Sequence, residues 1–279
     1  MTKKLATIVG GKGFIGSALT AELKSQHWDC QIIGRLDPTS KFNDLGTVFY
    51  CAGHTADYLK EPMATVTSHI TALAEILYAR KFNKLVYCSS TRLYDDLPVA
   101  EAARETLVLP IDPQKPRHFY DLTKLTGESL CHSTARAGVH VVRLSSVYSE
   151  VIGTDGFLGP LLQLVGNANR GDTLNVSSSP NIIRDYIHLS DVVRGLIAVA
   201  ERGRSPTYNL ASGASLKNAD LARILKERTG VELCFTSSHK GSAFPQIDVS
   251  LLREEVGVFP ETVESALDAW LTVTAKRDK

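Results

Sequence analysis

Tyr120 and Lys124 are the residues whose types and spacing most directly suggest proton transfer. They lie four positions apart in a segment with a helical pattern, so both side chains would share one helical face. A free phenol titrates near ~10, and a neighbouring ammonium together with an oxidised nicotinamide ring would lower that pKa. The pair therefore predicts an acid–base device beside a hydride-transfer cofactor. A helical tyrosine packed on a solvated lysine has the same spacing, so other segments must support this interpretation.

A glycine-rich turn lies near the start of the chain. An apolar run over residues 5–9 leads directly into glycines at positions 10, 13 and 16. A strand followed by such a turn and a helix lets the backbone touch a pyrophosphate at the helix N-terminus. The pattern predicts a dinucleotide-binding loop, although a plain strand–turn–helix connection is the alternative. The predicted cofactor contacts in this loop are Gly10, Gly13, Phe14, Ile15 and Gly16.

The end of the predicted second strand, residues 30–35, bears on the choice between NAD and NADP. A carboxylate at this point would hold the ribose hydroxyls of NAD. The strand instead ends in Gly34 and Arg35, and Asp37 lies in the turn that follows. A guanidinium suits a 2′-phosphate, so the sequence favours NADP over NAD. A solvated loop arginine is the alternative interpretation of Arg35.

Two further predicted strands, 47–53 and 84–88, are followed by small or polar residues. In an open parallel sheet, residues just beyond the carboxyl ends of the strands line the ligand crevice. We therefore expect Ala52 and Gly53 to contact the cofactor and Ser90 to hydrogen-bond a substrate oxygen. Turn formation alone could also account for the polar residues around Ser90.

Strands that alternate with helices predict an α/β fold with a Rossmann-like, doubly wound parallel sheet. The link after Arg35 is too short for a further strand–helix unit, so the sheet should be abbreviated after its second strand. We expect residues 1–150 to form a NAD(P)-binding domain, to which 182–210 return. Residues 151–181 and 211–279 would form a smaller C-terminal α/β substrate lobe.

Three local features are also predicted. Apolar residues at helical spacing indicate one amphipathic helix over 63–80. Residues 95–118 are rich in Pro, Asp and Glu and should form a long surface loop. Ser190 should cap a helix that follows it.

Composition excludes several classes of protein. The 279 residues carry a net charge of +1, which does not indicate a basic surface for nucleic acid or an anionic membrane. No apolar run reaches the ~18 residues of a membrane span. Five widely spaced cysteines without Cys-x-x-Cys, and eight histidines without His-x-x-x-His, indicate no structural metal. Unpaired thiols suit a reducing compartment, so we expect a cytoplasmic protein.

Together these motifs resemble the extended short-chain dehydrogenase/reductases, in particular the nucleotide-sugar-modifying branch of the NAD-dependent epimerase/dehydratase family. The glycine loop and the Tyr120-x-x-x-Lys124 spacing are similar to those of the family, and Ser90 precedes Tyr94 by four residues, like its active-site Ser/Thr. Residues 143–148 and 208–213 resemble later family segments. The most specific match is Arg-Asp-Tyr-Ile-His-Leu-Ser-Asp at 184–191.

The resemblance implies roles for individual residues. Tyr120 would exchange the substrate's hydroxyl proton, while Lys124 would hold the cofactor ribose and lower the phenol's pKa. Ser90 would orient the substrate oxygen, and Arg184 would grip a diphosphate. Family members commonly form homodimers through two helices, which match residues 63–80 and 119–136 here. The remaining implied contacts are Ser146 and Val147 for the cofactor, and Thr91 and Arg92 for the substrate.

One departure from the family pattern narrows the expected reaction. Thr91 and Arg92 stand where sugar 4,6-dehydratases carry an Asp-Glu pair, and neither side chain serves well as the acid or base of an elimination. We therefore expect an NAD(P)-dependent epimerase or reductase that moves a hydride to or from a sugar carbon of a nucleotide sugar. The alternatives are a reductase of a smaller carbonyl or alcohol substrate, and a non-catalytic NAD(P)-binding regulatory protein on the same fold.

Overall fold

Six parallel strands form the central sheet of the computed structural model, which describes residues 3–34, 37–98, 100–150, 156–238, 241 and 244–274. The sheet has the order β2-β1-β3-β4-β5-β9, and every neighbouring pair is parallel. Its strands are β1 (Leu5–Val9), β2 (Asp29–Ile33), β3 (Thr47–Tyr50), β4 (Lys84–Ser90), β5 (Val139–Leu144) and β9 (Thr207–Leu210).

Helices cover both faces of this sheet because successive strand residues point to opposite sides and both sides are apolar. In β3, Phe49 packs into the core cluster under α1 (Phe14–Ser25) and α6 (Leu189–Arg202). The neighbouring Val48 and Tyr50 pack into the opposite cluster, under α3 (Ala72–Ala79) and α4 (His118–Ser133). The predicted doubly wound parallel sheet is therefore confirmed.

The predicted abbreviation after the second strand is also confirmed. Beyond β2 the chain makes only one 3₁₀ turn, Thr39–Lys41, before it enters β3. Strand β3 then pairs with β1 on the side opposite to β2. The strand order consequently reverses at β1, and such a reversal opens a crevice at the carboxyl edge of the sheet.

The segment predicted as one amphipathic helix over 63–80 is divided into three parts. It consists of α2 (Pro62–Val66), one turn of π-helix (Thr67–Thr71) and α3. A π turn accommodates one extra residue and so rotates the side chains that follow it. The residue that it brings inside is His69, which is completely buried.

A second group of elements packs beside the carboxyl edge of the central sheet. Strands β6 (Ser146–Tyr148), β8 (Ile183–His188) and β10 (Ser215–Lys217) form a three-stranded sheet, and β7 (Thr173–Val176) pairs with β11 (Glu232–Phe235). A separate apolar core lies between these strands and their helices. The remaining helices are α5 (Leu158–Gly166), α7 (Asn218–Thr229), α8 (Ser250–Val256) and α9 (Val263–Thr274).

The segment 182–210 is shared between the two groups. Strand β8 belongs to the three-stranded sheet, whereas α6 packs on the central sheet and β9 extends it. The domain boundaries drawn from the sequence stay a prediction. None of the helices in the described part of the chain is long and apolar enough to cross a membrane.

One local prediction holds in part and another was wrong. The described residues of 95–117 form a loop that leads into α4, as predicted, but not all of it lies on the surface, because Leu97 and Ala103 are buried and Ala103 forms a bridge with Ile247. The N-cap of α6 is His188, whose imidazole accepts the backbone N–H of Ser190, so Ser190 itself is not the cap. The bridge of Ala103 is a tertiary contact that a local pattern does not encode, whereas the cap of α6 is a local contact made by a histidine, which is not among the usual N-cap residues.

Candidate active site at the carboxyl edge of the central sheet

A cleft of ≈ 560 Å³ lies where the carboxyl ends of the central strands meet the second group of elements. Most of the residues predicted as cofactor, catalytic or substrate contacts line it, although they are dispersed over the sequence. The predicted residues in its lining are Gly13, Phe14, Ile15, Ala52, Gly53, Ser90, Tyr120, Lys124, Ser146, Val147 and Arg184.

Some predicted contacts do not line the cleft. Gly10 and Gly16 of the glycine loop, and Thr91 and Arg92 after β4, are not among its lining residues. Thr91 is buried, and the Arg92 guanidinium packs against two tyrosine rings. Arg35 lies outside the described residues.

The glycine loop fits the diphosphate of a dinucleotide. Gly10 has φ +81, and a Cβ atom on Gly16 would overlap the carbonyl oxygen of Gly10, so neither position accepts a larger residue. Gly13 is the N-cap of α1 and provides no side-chain hydrogen bond to the free N–H groups of the first turn. These N–H groups and the helix dipole suit an anion that enters along the cleft.

Asp37 is the first carboxylate after β2 along the chain, and it already has hydrogen-bond partners within its own loop. Its Oδ2 accepts the backbone N–H of Gly34 at 2.9 Å and pairs with Lys41 Nζ at 2.8 Å. The hydrogen bond from Lys41, with that from Gly34, lowers the pKa of Asp37. A carboxylate that is neutralised by its own loop is poorly placed to receive ribose hydroxyls.

Tyr120 is buried at the start of α4, and several side chains surround its ring. The rings of Tyr58 and His69 each have centroids 5.5 Å away, and Ser90 lines the same cleft close to the phenol. Burial raises the pKa of Tyr120 to about 12, even though Ser90 and the Arg92 charge oppose this shift. We expected the Lys124 ammonium to lower this pKa, but Lys124 Nζ lies 6.0 Å from the ring centroid and Arg92 Cζ only 4.8 Å.

Lys124 is buried on the same face of α4. Its Nζ donates to the carbonyl oxygen of Cys88 at 2.9 Å and lies above the ring of Tyr87. Burial lowers the pKa of Lys124 to about 8, although the nearby Cys88, Cys51 and Glu128 side chains favour its charged form. A Cβ atom on Gly53 would approach Nζ to 3.3 Å, so the glycine keeps the space above the ammonium open to a ligand.

His69 is a site residue that the sequence did not reveal. Its Nε2 accepts the backbone N–H of His54 at 3.1 Å, so Nδ1 carries the proton and donates to Thr123 Oγ1 at 2.8 Å. Thr123 in turn donates to the carbonyl oxygen of Tyr120 at 2.8 Å. Burial, with a contribution from Lys124, lowers the pKa of His69 to about 2, so the ring stays neutral and fixes the first turn of α4.

The second group of elements supplies the far wall of the cleft. Arg184, on β8, donates from Nη1 to the backbone oxygen of Ile183 at 2.9 Å and lies over the ring of Phe244. Asn218, which the sequence did not single out, is buried beside it and donates through Nδ2 to Ser178 Oγ and Ser179 O. This wall therefore offers a guanidinium fork and several hydroxyl and amide groups to a polar ligand.

Comparison with known proteins agrees with this architecture. The sequence model of the NAD dependent epimerase/dehydratase family matches residues 6–211. This match covers more than half of the chain, so the chain belongs to that family.

Individual relatives are distant. UDP-glucuronic acid decarboxylase 1 of Xenopus tropicalis is 23% identical over 264 residues, which are 82% of this chain and 61% of that protein. The chain thus spans about three-fifths of the length of this relative. A dTDP-6-deoxy-L-talose 4-dehydrogenase (NAD(P)(+)) of Kitasatospora kifunensis is 25% identical over 302 residues, and the match covers 94% of this chain and 93% of that one.

Solved structures share the fold. The structure of MoeE5 in complex with UDP-glucuronic acid and NAD superposes with a TM-score of 0.76 at 20% identity, covering 99% of this chain and 100% of the other. At this level of identity the similarity shows the fold alone.

Proposed function

We propose that the protein is an NAD(P)-dependent epimerase or keto-reductase that moves a hydride to or from C4 of a nucleotide-linked sugar. One observation carries the proposal: Ser90, Tyr120 and Lys124 come together in a single cleft whose other walls are the glycine loop and Arg184. The 4-dehydrogenase relative, which this chain matches over nearly its whole length, supports a reaction at the same sugar carbon.

A bound nicotinamide cofactor would supply the hydride chemistry, and the residues of the cleft supply position and proton transfer. Tyr120 takes the hydroxyl proton when the sugar is oxidised and returns it when the ketone is reduced. Ser90, which lies beside the phenol in the same cleft, would orient the substrate oxygen. Lys124 would hold the cofactor ribose through its ammonium, and Arg184 would offer a planar fork to the substrate diphosphate.

Dehydration is not part of the proposal. Elimination needs an acid for the departing hydroxyl and a base for the adjacent C–H proton, both beside the active-site Ser90. Thr91 and Arg92, which follow Ser90, do not line the cleft in the described structure, and a guanidinium stays protonated. A 4-epimerase or keto-reductase needs only the groups that are present.

The test is incubation with NADP or NAD and a panel of UDP- and dTDP-linked sugars, including UDP-glucose and UDP-glucuronic acid, followed by NMR. We expect conversion at C4 with wild-type protein and at least ~100-fold slower conversion with Tyr120→Phe, the scale of a lost acid–base group. Arg184→Ala should weaken substrate binding much more than cofactor binding. A 4-keto-6-deoxy product would overturn the reaction class, and inertness towards every nucleotide sugar would overturn the substrate class in favour of a smaller carbonyl or alcohol.

For the cofactor we propose a preference for NADP. The support is the sequence Gly34-Arg35 at the end of β2, together with an Asp37 carboxylate that Lys41 already neutralises. Calorimetric titration with NADPH and NADH should show tighter binding of NADPH, and Arg35→Ala should narrow the difference. Tighter binding of NADH by the wild-type protein would contradict the proposal.

We also propose a homodimer through α2, α3 and α4. Met63 on α2 is 75% exposed and Tyr78 on α3 is 59% exposed, which leaves an apolar surface beside α4 for a second copy. Light scattering at micromolar concentration should give the mass of two chains, and Met63→Glu should shift it towards one chain. A monomeric mass for the wild-type protein would contradict the dimer.

A further inference from the structure

Arg92 occupies an unusual position beside the proposed proton-transfer residue. It belongs to the 3₁₀ turn Thr91–Tyr94, which follows β4 directly. Its guanidinium carbon lies 4.8 Å from the ring centroid of Tyr120 and 4.9 Å from that of Tyr58, while the two rings are 5.5 Å apart. A cation this close to an aromatic ring is attracted by the ring's charge distribution. The three side chains thus form one packed group at the edge of the cleft.

Hydrogen bonds fix the guanidinium in this group. Nη2 donates to the Tyr58 hydroxyl at 2.9 Å and to the backbone oxygen of Arg117, just before α4, at 3.2 Å. These contacts tie the start of α4 to the loop that carries Tyr58. Because a guanidinium is planar and donates in a fixed fork, a lysine could not reproduce both the stacking and the hydrogen bonds.

The positive charge of Arg92 lies next to the buried carboxylate of Asp121. Its carboxylate is 1% exposed, and within the described structure neither of its oxygens has a hydrogen-bond partner. Arg92 Nε lies 3.5 Å from Oδ1, and Arg117 Nη1 lies 4.0 Å from Oδ2. A buried carboxylate next in sequence to Tyr120 disfavours a phenolate, and a neighbouring cation is required to offset it.

We propose that Arg92 is a positioning residue of the reaction: it holds the Tyr120 ring between α4 and the Tyr58 loop and supplies the positive charge that favours the phenolate. This inference rests on the proposed function, in which Tyr120 exchanges a proton with the substrate. It replaces the substrate contact expected for Arg92 from the sequence. It also gives a role to the residue that stands where dehydratases carry an acid.

Other groups also face the Tyr120 ring, and they do not replace this charge. Ser90 and Cys88 come from β4, Tyr58 from the loop before α2, and His69, which is neutral, from the π turn. Lys124 and Asp121 come from α4 itself, and Lys124 Nζ is more distant from the ring than Arg92 Cζ. Two groups lower the pKa of Tyr120, first Ser90 and then the Arg92 guanidinium. Loss of the guanidinium should therefore raise this pKa.

The test compares two variants that both lack the buried carboxylate, so that removal of the guanidinium does not leave Asp121 buried without its partner. Asp121→Asn is the reference, and Arg92→Gln/Asp121→Asn removes the guanidinium from it. Each protein is labelled with [13Cζ]tyrosine and saturated with oxidised cofactor, and the phenol is titrated by NMR, with Tyr120→Phe assigning the signal. The pH dependence of kcat and KM is measured on the same samples.

We expect the Tyr120 midpoint to lie about 1 pH unit higher in the double variant than in the reference, the shift typical of one nearby charge. Below the midpoint this reduces the phenolate fraction and kcat about tenfold, with KM for the substrate changed little. Arg92→Lys in the reference background should restore most of the midpoint but not all of kcat, because the stacking is lost. Equal midpoints, or a fall in kcat that is the same at every pH, would overturn the proposal.

The outcome is separable from that of the proposed function. If Tyr120→Phe retains full turnover, Tyr120 is not the proton-transfer group and the proposed function fails. The NMR titration would still report whether Arg92 sets the ionisation of the phenol. A shifted midpoint with an active Tyr120→Phe protein would thus confirm the charge effect and reject its catalytic use.

Discussion

The two halves of α4 bury polar side chains under opposite conditions. In the second half, Glu128 is paired with Arg143 of β5, with Nε at 3.0 Å from Oε1 and Nη2 at 2.7 Å from Oε2. Ser89 adds a hydrogen bond to Oε1 at 2.5 Å. In the first half, Asp121 has no hydrogen bond to the described residues, and burial shifts the pKa of Tyr120 up and that of Lys124 down.

The second half of α4 anchors the helix to the central sheet, whereas the first half carries the residues of the proposed reaction. The Glu128–Arg143 pair extends through Tyr94, whose hydroxyl accepts from Arg143 and donates to Asn209 of β9, so it connects α4 to three strands of the sheet. Satisfied buried pairs of this kind are costly to break. Polar groups that are buried with perturbed pKa values and face a cleft are typical of functional sites, because a ligand completes their surroundings.

The largest expected effect on stability follows loss of the Glu128–Arg143 pair, which we call the anchor. Arg143→Met would leave Glu128 buried without its partner and should lower the free energy of unfolding by about 3–5 kcal/mol. Urea denaturation followed by circular dichroism measures this loss. The double variant Arg143→Met/Glu128→Leu is the control, and it should recover most of the stability. A loss below about 1 kcal/mol in the single variant would mean that the pair is not an anchor.

At Lys124 we expect a substitution to raise the free energy of unfolding instead of lowering it. Its pKa is lowered from 10.5 to about 8, so at pH 7 the folded state bears the cost of burying a charge that the unfolded chain keeps in water. Lys124→Met should therefore raise the free energy of unfolding of the cofactor-free protein, by up to roughly 3 kcal/mol, while it abolishes turnover.

The pH dependence of this effect has a definite sign. Between about 8 and 10.5 the unfolded chain binds the Lys124 proton and the folded protein does not, so wild-type stability rises with pH in this window. Lys124→Met lacks this contribution, and its advantage over the wild type should shrink across the same window. Lower stability of Lys124→Met at pH 7 would contradict the conclusion that burial of the Lys124 ammonium destabilises the cofactor-free protein.

The smallest effect should follow removal of one hydroxyl from the anchor. Tyr94→Phe removes the hydrogen bonds of the phenol to Arg143 and Asn209, each 2.8 Å long. Because Arg143 keeps Glu128, we expect a loss of about 1–2 kcal/mol in thermal or chemical denaturation. The pH profile of turnover should not move, since the Tyr94 hydroxyl contacts Arg143, the partner of Glu128 in the second half of α4, and not the residues of the first half. A shifted profile would show that the two halves are coupled.

The sequence predicted much of the fold and part of the site. The alternation of strands and helices predicted the parallel sheet, and the short link after β2 predicted that the sheet is abbreviated there. Both features could be predicted because they depend on local sequence pattern and on the length of a link. Ser90, Tyr120, Lys124 and Arg184 line one cleft, as their residue types at strand and helix ends predicted, and their roles stay predictions.

Other features of the site depend on tertiary packing. His69 enters the interior only because a π turn interrupts its helix, which the apolar spacing of that segment does not reveal. Of the two cations, Arg92 lies closer to the Tyr120 ring than Lys124, and this order depends on how a 3₁₀ turn packs against α4. The resemblance suggested a substrate contact at Arg92, and only the distances placed its guanidinium against the rings instead.

Tyr120→Phe, with turnover and stability measured on the same protein, shows whether the phenol transfers the proton. The phenol belongs to the first half of α4, which carries the proposed reaction, so we expect at least ~100-fold slower turnover, cofactor affinity within a few fold of wild type, and a free energy of unfolding within about 1 kcal/mol of wild type. Full turnover in this variant would mean that Tyr120 is not the proton-transfer group. So would a loss of activity that only accompanies a loss of several kcal/mol of stability, because Tyr120 would then be an anchor like Glu128.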